Sequence, residues 1–155
     1  FLGWHLRLAG HVPVDRNKGK DAALAVMEAF ERVLRNDKPL LVFPEGTRTA
    51  DGKLKAFKNG AFQAAVYAGK PVVPVAIHGT FTLMSRDAVD TGTSTSADDR
   101  LVTVQIGKPI YPNTALDDED AVAELRDRTR AAVVEMLAAV KSEAVADEPS
   151  LPLET

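Results

Sequence analysis

The chain has 155 residues, of which 45% are hydrophobic and 26% charged, and its formal net charge is −3. This length suits one domain with a sizeable core, and the acidic balance excludes a general attraction to nucleic acid or anionic lipid. The absence of cysteine excludes disulfides, thiolate nucleophiles and Cys-based metal sites. No apolar run approaches the ~20 residues that span a bilayer. Because the chain is acidic overall, any anion-binding site must be local.

The first sixteen residues contain two short patterns, each with two interpretations. Residues 1–9 are rich in apolar side chains and are either the end of a helix packed in the core or a segment facing a membrane interface. Residues 10–16 alternate like a short strand that ends in Asp15 and Arg16. Because the chain opens at Phe1 inside an apolar stretch, we expect it to be part of a longer protein.

The middle of the chain predicts two helices and a buried strand. Residues 18–36 carry one apolar stripe at helical spacing. Residues 40–43 are a short apolar run that predicts a strand, which Pro44 ends because it has no N–H to donate. Residues 61–68 predict a second helix that is closed by Gly69.

The second half of the chain predicts two strands and a final helix. The apolar run 71–77 predicts a strand, and Pro74 in its middle places it at an edge or a bulge. A polar loop follows within residues 79–100, and residues 101–107 alternate as a strand does. The last helix opens with acids from Asp117, and its stripe is formed by Val122, Leu125, Thr129, Val133, Met136, Leu137 and Val140. We expect residues 142–155 to be a disordered tail.

The most informative stretch is the loop after the first strand, residues 43–49. It combines the carboxylate of Glu45, the unhindered backbone of Gly46, the hydroxyl of Thr47 and the guanidinium of Arg48. One interpretation is a turn with a surface Glu–Arg pair that contributes little. The other is an anion site, because the guanidinium matches phosphate bidentately and ligands bind at the carboxyl ends of strands in α/β proteins.

This stretch, Phe-Pro-Glu-Gly-Thr-Arg-Thr, resembles the third signature block of the glycerolipid acyltransferases, the lysophosphatidic acid acyltransferase group. Gly10, Asp15 and Arg16 are similar to that family's second block, from which Pro13 departs. Residues 73–75, Val-Pro-Val, resemble its fourth block. Residues 57–60 also resemble a family stretch, in which we interpret Lys58 as an exposed lysine rather than as a contributor of positive potential.

The resemblance implies an α/β fold with a mixed, mostly parallel sheet flanked by helices, like glycerol-3-phosphate acyltransferase. It implies transfer of a fatty acyl group from acyl-CoA or acyl-carrier protein to 1-acylglycerol 3-phosphate, giving phosphatidate, at the cytoplasmic face of a membrane. The acceptor's phosphate would be bound by Arg16, Glu45, Gly46, Thr47 and Arg48, and the acyl donor would be flanked by Val73, Pro74 and Val75. The reaction needs no metal or cofactor, because it is proton transfer with oxyanion stabilisation.

In the family the general base is a His that is separated by four residues from the Asp that orients it, and this pattern is missing from this sequence. His5, His11 and His78 are followed five positions later by Gly10, Arg16 and Leu83, and on a strand His11 and Asp15 would lie roughly 13 Å apart. We therefore expect residues 1–141 to be an acyltransferase domain that lacks its N-terminal part and is inactive alone. The alternatives are an acyltransferase with another lysolipid or amino-acid-lipid acceptor, and a non-catalytic protein that binds lipid phosphate.

Overall fold

The computed structural model describes residues 11–12, 19–81 and 102–146. In chain order the elements are α1 (Gly19–Arg35), α2 (Gly60–Ala68), β1 (Val75–His78), β2 (Thr103–Ile106) and α3 (Asp118–Ala146). The predicted segments 1–9 and 13–16, and most of the loop 79–100, lie outside the described residues. No helix in the described part of the chain has the length and apolar character needed to cross a bilayer.

The three helices form where the apolar stripes predict them. In α1 the stripe residues Val26, Met27, Phe30, Val33 and Leu34 are all half-buried, and the helix packs against α2. Gly69 ends α2 with φ of 60°, a left-handed conformation that glycine adopts without a Cβ penalty. At the start of α3 the Asp117 carboxylate accepts from the Asp120 backbone N–H at 2.9 Å, which caps the helix.

The helix α3 is longer than the sequence predicts. It continues to Ala146, so the first five residues of the predicted disordered tail, 142–146, are helical. The rest of that tail, 147–155, lies outside the described residues.

The described residues contain one sheet, an antiparallel pair of β1 and β2. Val75 pairs with Ile106 and Ile77 with Val104. An isolated bridge joins Val72 to Ile110, so residues 73–74 on one side face residues 107–109 on the other. The segment 107–109 thus has one residue more than the segment opposite it. The extra residue makes a bulge beside Pro74, which confirms the predicted bulge. The structure is thus α/β in content, but the mostly parallel arrangement expected from the resemblance does not occur among these residues.

The predicted strand 40–43 is not a strand in the described part of the chain. Its residues join no ladder, and the side chains of Leu41 and Phe43 are 79% and 70% exposed. An apolar run specifies a strand only when a partner supplies the backbone hydrogen bonds and a surface to bury it. No described segment supplies either here, so the predicted strand does not form among the described residues.

The hydrophobic core lies between α2, β1, α3 and the segment that precedes α2. Its centre is Leu125, which is completely buried. Thr129, one turn later, is also buried and donates its hydroxyl hydrogen to the Leu125 carbonyl at 2.7 Å, which satisfies that hydroxyl. The buried cluster consists of Phe57, Phe62, Ala65, Ala76, Val122, Leu125 and Val133.

Candidate functional site: a braced basic loop

The loop 43–48 begins with a tight turn at its proline. The Gly46 N–H donates to the Phe43 carbonyl at 3.0 Å, and proline at the second position suits such a turn because its φ is already fixed. Gly46 has a φ of 70°, which a residue with a Cβ adopts only with strain. The sequence therefore needs glycine at this position for the turn itself.

A second segment, residues 53–58, braces the loop through its backbone. The Lys58 N–H donates to the Pro44 carbonyl at 2.9 Å, and the Lys55 N–H donates to Oε2 of Glu45 at 2.8 Å. The Lys55 ammonium donates to the Arg48 carbonyl at 3.2 Å. These three bonds hold both the start and the end of the loop.

The bracing segment is itself fixed by the core and by α3. The Phe57 ring is buried and stacks on Phe62, with ring centroids 6.1 Å apart and planes at 11°. The Arg130 guanidinium donates to the carbonyls of Leu54 and Lys55 at 3.4 and 3.3 Å. The loop therefore rests on a segment anchored from both sides, as a precise binding site requires.

Within this frame the Arg48 side chain is exposed and available to a ligand. Its guanidinium makes no ion pair or hydrogen bond with another residue that the structure describes. The surface pair of Glu45 with Arg48 that one interpretation of the sequence predicts does not form, and Oε2 of Glu45 accepts from the Lys55 backbone N–H. Gly46 and Thr47 lie on the exposed side of the loop, whereas Glu45 is half-buried. Arg16, the other predicted phosphate ligand, lies outside the described residues.

The turn after the loop has its own closed hydrogen-bond network. The Asp51 carboxylate accepts from the Thr49 hydroxyl at 2.9 Å and from the Lys53 N–H at 3.1 Å. These bonds hold the pKa of Asp51 below its ordinary value, with the Lys53 N–H the larger cause. A Cβ on Gly52 would meet the Phe81 ring at 3.4 Å, so this turn packs against that ring.

Comparison with known protein families identifies the family to which this chain belongs. Residues 1–78, just over half of the chain, match the sequence model described as Acyltransferase. The chain belongs to this acyltransferase family.

Proteins similar to this chain carry the same activity in their names. A 1-acyl-sn-glycerol-3-phosphate acyltransferase of Chlamydomonas reinhardtii is 35% identical over 88% of this chain and 38% of its own length. One from Saccharomyces cerevisiae is 32% identical over 98% of this chain and 48% of its own length. The crystal structure of the 1-acyl-sn-glycerophosphate (LPA) acyltransferase PlsC from Thermotoga maritima matches with a TM-score of 0.63 and 28% identity, covering 88% of this chain and 52% of that one. The chain thus spans about half the length, or less, of these relatives.

In this family member the Val-Pro-Val segment lies at the start of β1. Pro74 is buried, and its carbonyl accepts from the Gly107 N–H at 2.8 Å. A Cβ on Gly107 would lie 2.8 Å from the proline ring and 3.1 Å from the Met136 sulfur, so this glycine permits the close packing. Val73 is exposed and Val75 half-buried. Their predicted role beside the acyl donor stays a prediction.

Sequence reasoning missed two members of the site, Lys55 and Arg130. Their bonds involve main-chain atoms: the Lys55 N–H donates to Oε2 of Glu45, and the Arg130 guanidinium donates to main-chain carbonyls. A hydrogen bond that involves a main-chain group cannot be recognised from residue type or spacing. The only available signal was the density of lysines between residues 53 and 58.

Proposed function

We propose that the complete gene product is a 1-acylglycerol-3-phosphate acyltransferase. It transfers a fatty acyl group from acyl-CoA or acyl-carrier protein to lysophosphatidate at the cytoplasmic face of a membrane, and it needs no cofactor. The observation that carries the proposal is the braced loop with its exposed Arg48, which pairs with no other residue that the structure describes, in a chain whose relatives bear this activity in their names.

The reaction forms one bond and breaks one. The acceptor hydroxyl oxygen attacks the thioester carbonyl, the new C–O bond forms, the C–S bond breaks, and the hydroxyl proton ends on the leaving thiol. Neither described histidine, His11 or His78, forms an ion pair with a carboxylate among the described residues. The predicted site residues therefore serve binding: Arg48 and Arg16 hold the phosphate, Gly46 and Thr47 shape the loop, and residues 73–75 flank the donor.

We also propose that residues 40–43 join a mixed, mostly parallel sheet in the complete protein. The side chains of Leu41 and Phe43 are exposed, and so are those of Val104 and Ile106 in β2. Neighbouring large apolar side chains that are exposed are a usual sign that another part of a protein covers them.

The direct test uses the complete gene product, lysophosphatidate and an acyl thioester, with phosphatidate as the measured product. Arg48→Ala removes a charge-assisted bidentate contact, whose loss corresponds to about tenfold to hundredfold in affinity. We expect the KM for lysophosphatidate to rise by that factor, with the KM for the thioester nearly unchanged.

The matched control is Arg128→Ala, which removes an exposed arginine of α3 whose partner is Glu124 one turn earlier. It should leave both constants at the wild-type value. An equal rise in both constants for Arg48→Ala would contradict the phosphate role. Binding of lysophosphatidate without product formation by the wild type would favour a non-catalytic lipid-phosphate-binding protein.

A further inference from the structure

We infer that Lys58 is a further cationic ligand of the acceptor's phosphate, acting beside Arg48 and Arg16; the inference rests on the proposed function. The sequence alone favours an ordinary exposed lysine at this position. The structure gives it a specific place against the loop, and that placement is the observation that changes the interpretation.

The Lys58 side chain lies over Gly46, the residue at which the loop turns. A Cβ built on Gly46 would meet Nζ of Lys58 at 2.8 Å, Cε at 3.0 Å and Cδ at 3.2 Å. The end of the side chain thus runs along the loop backbone, over space that the glycine leaves empty. Gly46 and Arg48 are two positions apart, so their Cα atoms lie at most about 7 Å from each other. The Lys58 ammonium therefore lies next to the part of the loop that carries Arg48.

The backbone of Lys58 is held firmly enough to fix this position. Its N–H donates to the Pro44 carbonyl, and the preceding residue, Phe57, is anchored in the core. The following residue, Asn59, accepts from the Arg126 guanidinium at 2.8 Å. Lys58 is therefore flanked by two tethered residues and bonded to the loop that it covers.

No carboxylate in the described part of the chain neutralises this ammonium. The ion pairs formed there by lysines join Lys53 to Asp51 and Lys70 to Asp37. The nearest acid along the loop, Glu45, uses Oε2 to accept from Lys55. A lysine held against a loop without an acidic partner leaves its three ammonium donors for an anion.

The charge of the proposed ligand requires more than one cation. A phosphate monoester carries about −1.5 to −2 charges near pH 7; Arg48 neutralises one, and Lys58 would share the remainder with Arg16. The side chains of Arg48 and Lys58 supply complementary contacts, because arginine binds phosphate oxygens bidentately and lysine acts as a compact point charge. Lys58 thus adds a point charge to the bidentate contacts proposed for the arginines.

The experiment compares Lys58→Met, Lys58→Arg and Lys38→Met with the wild type in the complete gene product. Methionine keeps an unbranched apolar side chain and removes only the charge, so fold and thermal midpoint should be retained. We expect Lys58→Met to raise the KM for lysophosphatidate about tenfold and to leave the KM for the acyl thioester unchanged. Lys58→Arg should restore most of the acceptor affinity, and Lys38→Met, at an exposed lysine outside the loop and its bracing segment, should match the wild type.

A second readout is competition by glycerol 3-phosphate, which presents the phosphate without the acyl chain. Its inhibition constant should weaken in Lys58→Met by about the same factor as the KM. An unchanged acceptor KM in Lys58→Met, or an equal rise in both KM values, would overturn the inference while the Arg48→Ala result still supports the proposed function. A wild type that forms no phosphatidate would overturn the proposed function, and this inference with it.

Discussion

Gly46 meets two demands at once, a backbone conformation and a close approach. Its φ of 70° disfavours any residue with a Cβ, by roughly 1–2 kcal/mol. A Cβ would also meet the Lys58 ammonium at 2.8 Å, and that flexible end would move away. We predict that Gly46→Ala lowers the free energy of unfolding by about 1 kcal/mol and raises the KM for lysophosphatidate, measured by urea unfolding and steady-state kinetics.

Gly60 provides the matched control for that substitution. It is the first residue of α2, it has no positive φ, and a Cβ there would meet no atom within 4 Å. Gly60→Ala should therefore leave the acceptor KM unchanged and stabilise the fold by about 0.4–1 kcal/mol, because alanine restricts the unfolded chain. A loss of stability in Gly60→Ala equal to that of Gly46→Ala would show that neither effect comes from the loop's conformation.

At the same scale, the site's residue types were predictable but their partners were not. The pattern Glu-Gly-Thr-Arg predicts a loop with an exposed arginine, and the structure has one. The pairing of Glu45 with the Lys55 amide was not predictable, because every non-proline residue offers the same N–H. The placement of Lys58 over Gly46 likewise depends on where the core anchors Phe57, which only the folded structure shows.

At the scale of elements, α1 and α2 end in the same way and are tied together at those ends. After α1 the N–H groups of Asp37 and Lys38 donate to Leu34 and Val33, and after α2 those of Gly69 and Lys70 donate to Val66 and Ala65. Both are Schellman motifs, with a left-handed residue just past the helix: Asp37 has φ of 54° and Gly69 of 60°. The Lys70 ammonium also bonds the Asp37 carboxylate.

This tie predicts a pH-dependent signal at Asp37. The hydrogen bond and charge of Lys70 hold the pKa of Asp37 below its ordinary 3.8. A carboxyl with a lowered pKa stabilises the fold above its unfolded pKa, and that contribution is lost as pH falls through the folded value. Lys70→Met should return the pKa of Asp37 toward 3.8, as measured by NMR titration of the carboxyl group, whereas Asp51, held by Thr49 and Lys53, should titrate unchanged. An unchanged Asp37 would refute the tie.

Helices were more predictable than strands in this chain for a physical reason. A helix satisfies its own backbone, so the apolar stripes of α1 and α3 located them to within a residue or two at most ends. A strand depends on partners elsewhere in the chain. The run 40–43 has no partner among the described residues, and β1 begins after Pro74 rather than at residue 71 because that proline cannot donate to the ladder.

Across the whole molecule, the core and the binding loop are connected through one segment. Phe57 belongs to the buried cluster around Leu125, and the residue after it bonds the loop and covers Gly46. The binding site is therefore supported by the packing of α3 rather than by the loop's own bonds alone. This connection explains how an exposed loop, rich in polar residues, keeps a defined shape.

The consequence is testable at Leu125, whose side chain is completely buried in α3. Leu125→Ala leaves a cavity in the cluster that contains Phe57 and should lower the free energy of unfolding by about 2–5 kcal/mol, measured by urea unfolding of the complete gene product. Leu24→Ala, at a leucine of α1 that is 56% exposed, should change it by less than about 0.5 kcal/mol. Because Leu125 lies in the buried cluster with Phe57 and not in the loop itself, the acceptor KM should stay near wild type well below the unfolding midpoint and rise as that midpoint is approached. Equal losses of stability in the two variants would refute the placement of Leu125 at the centre of the core.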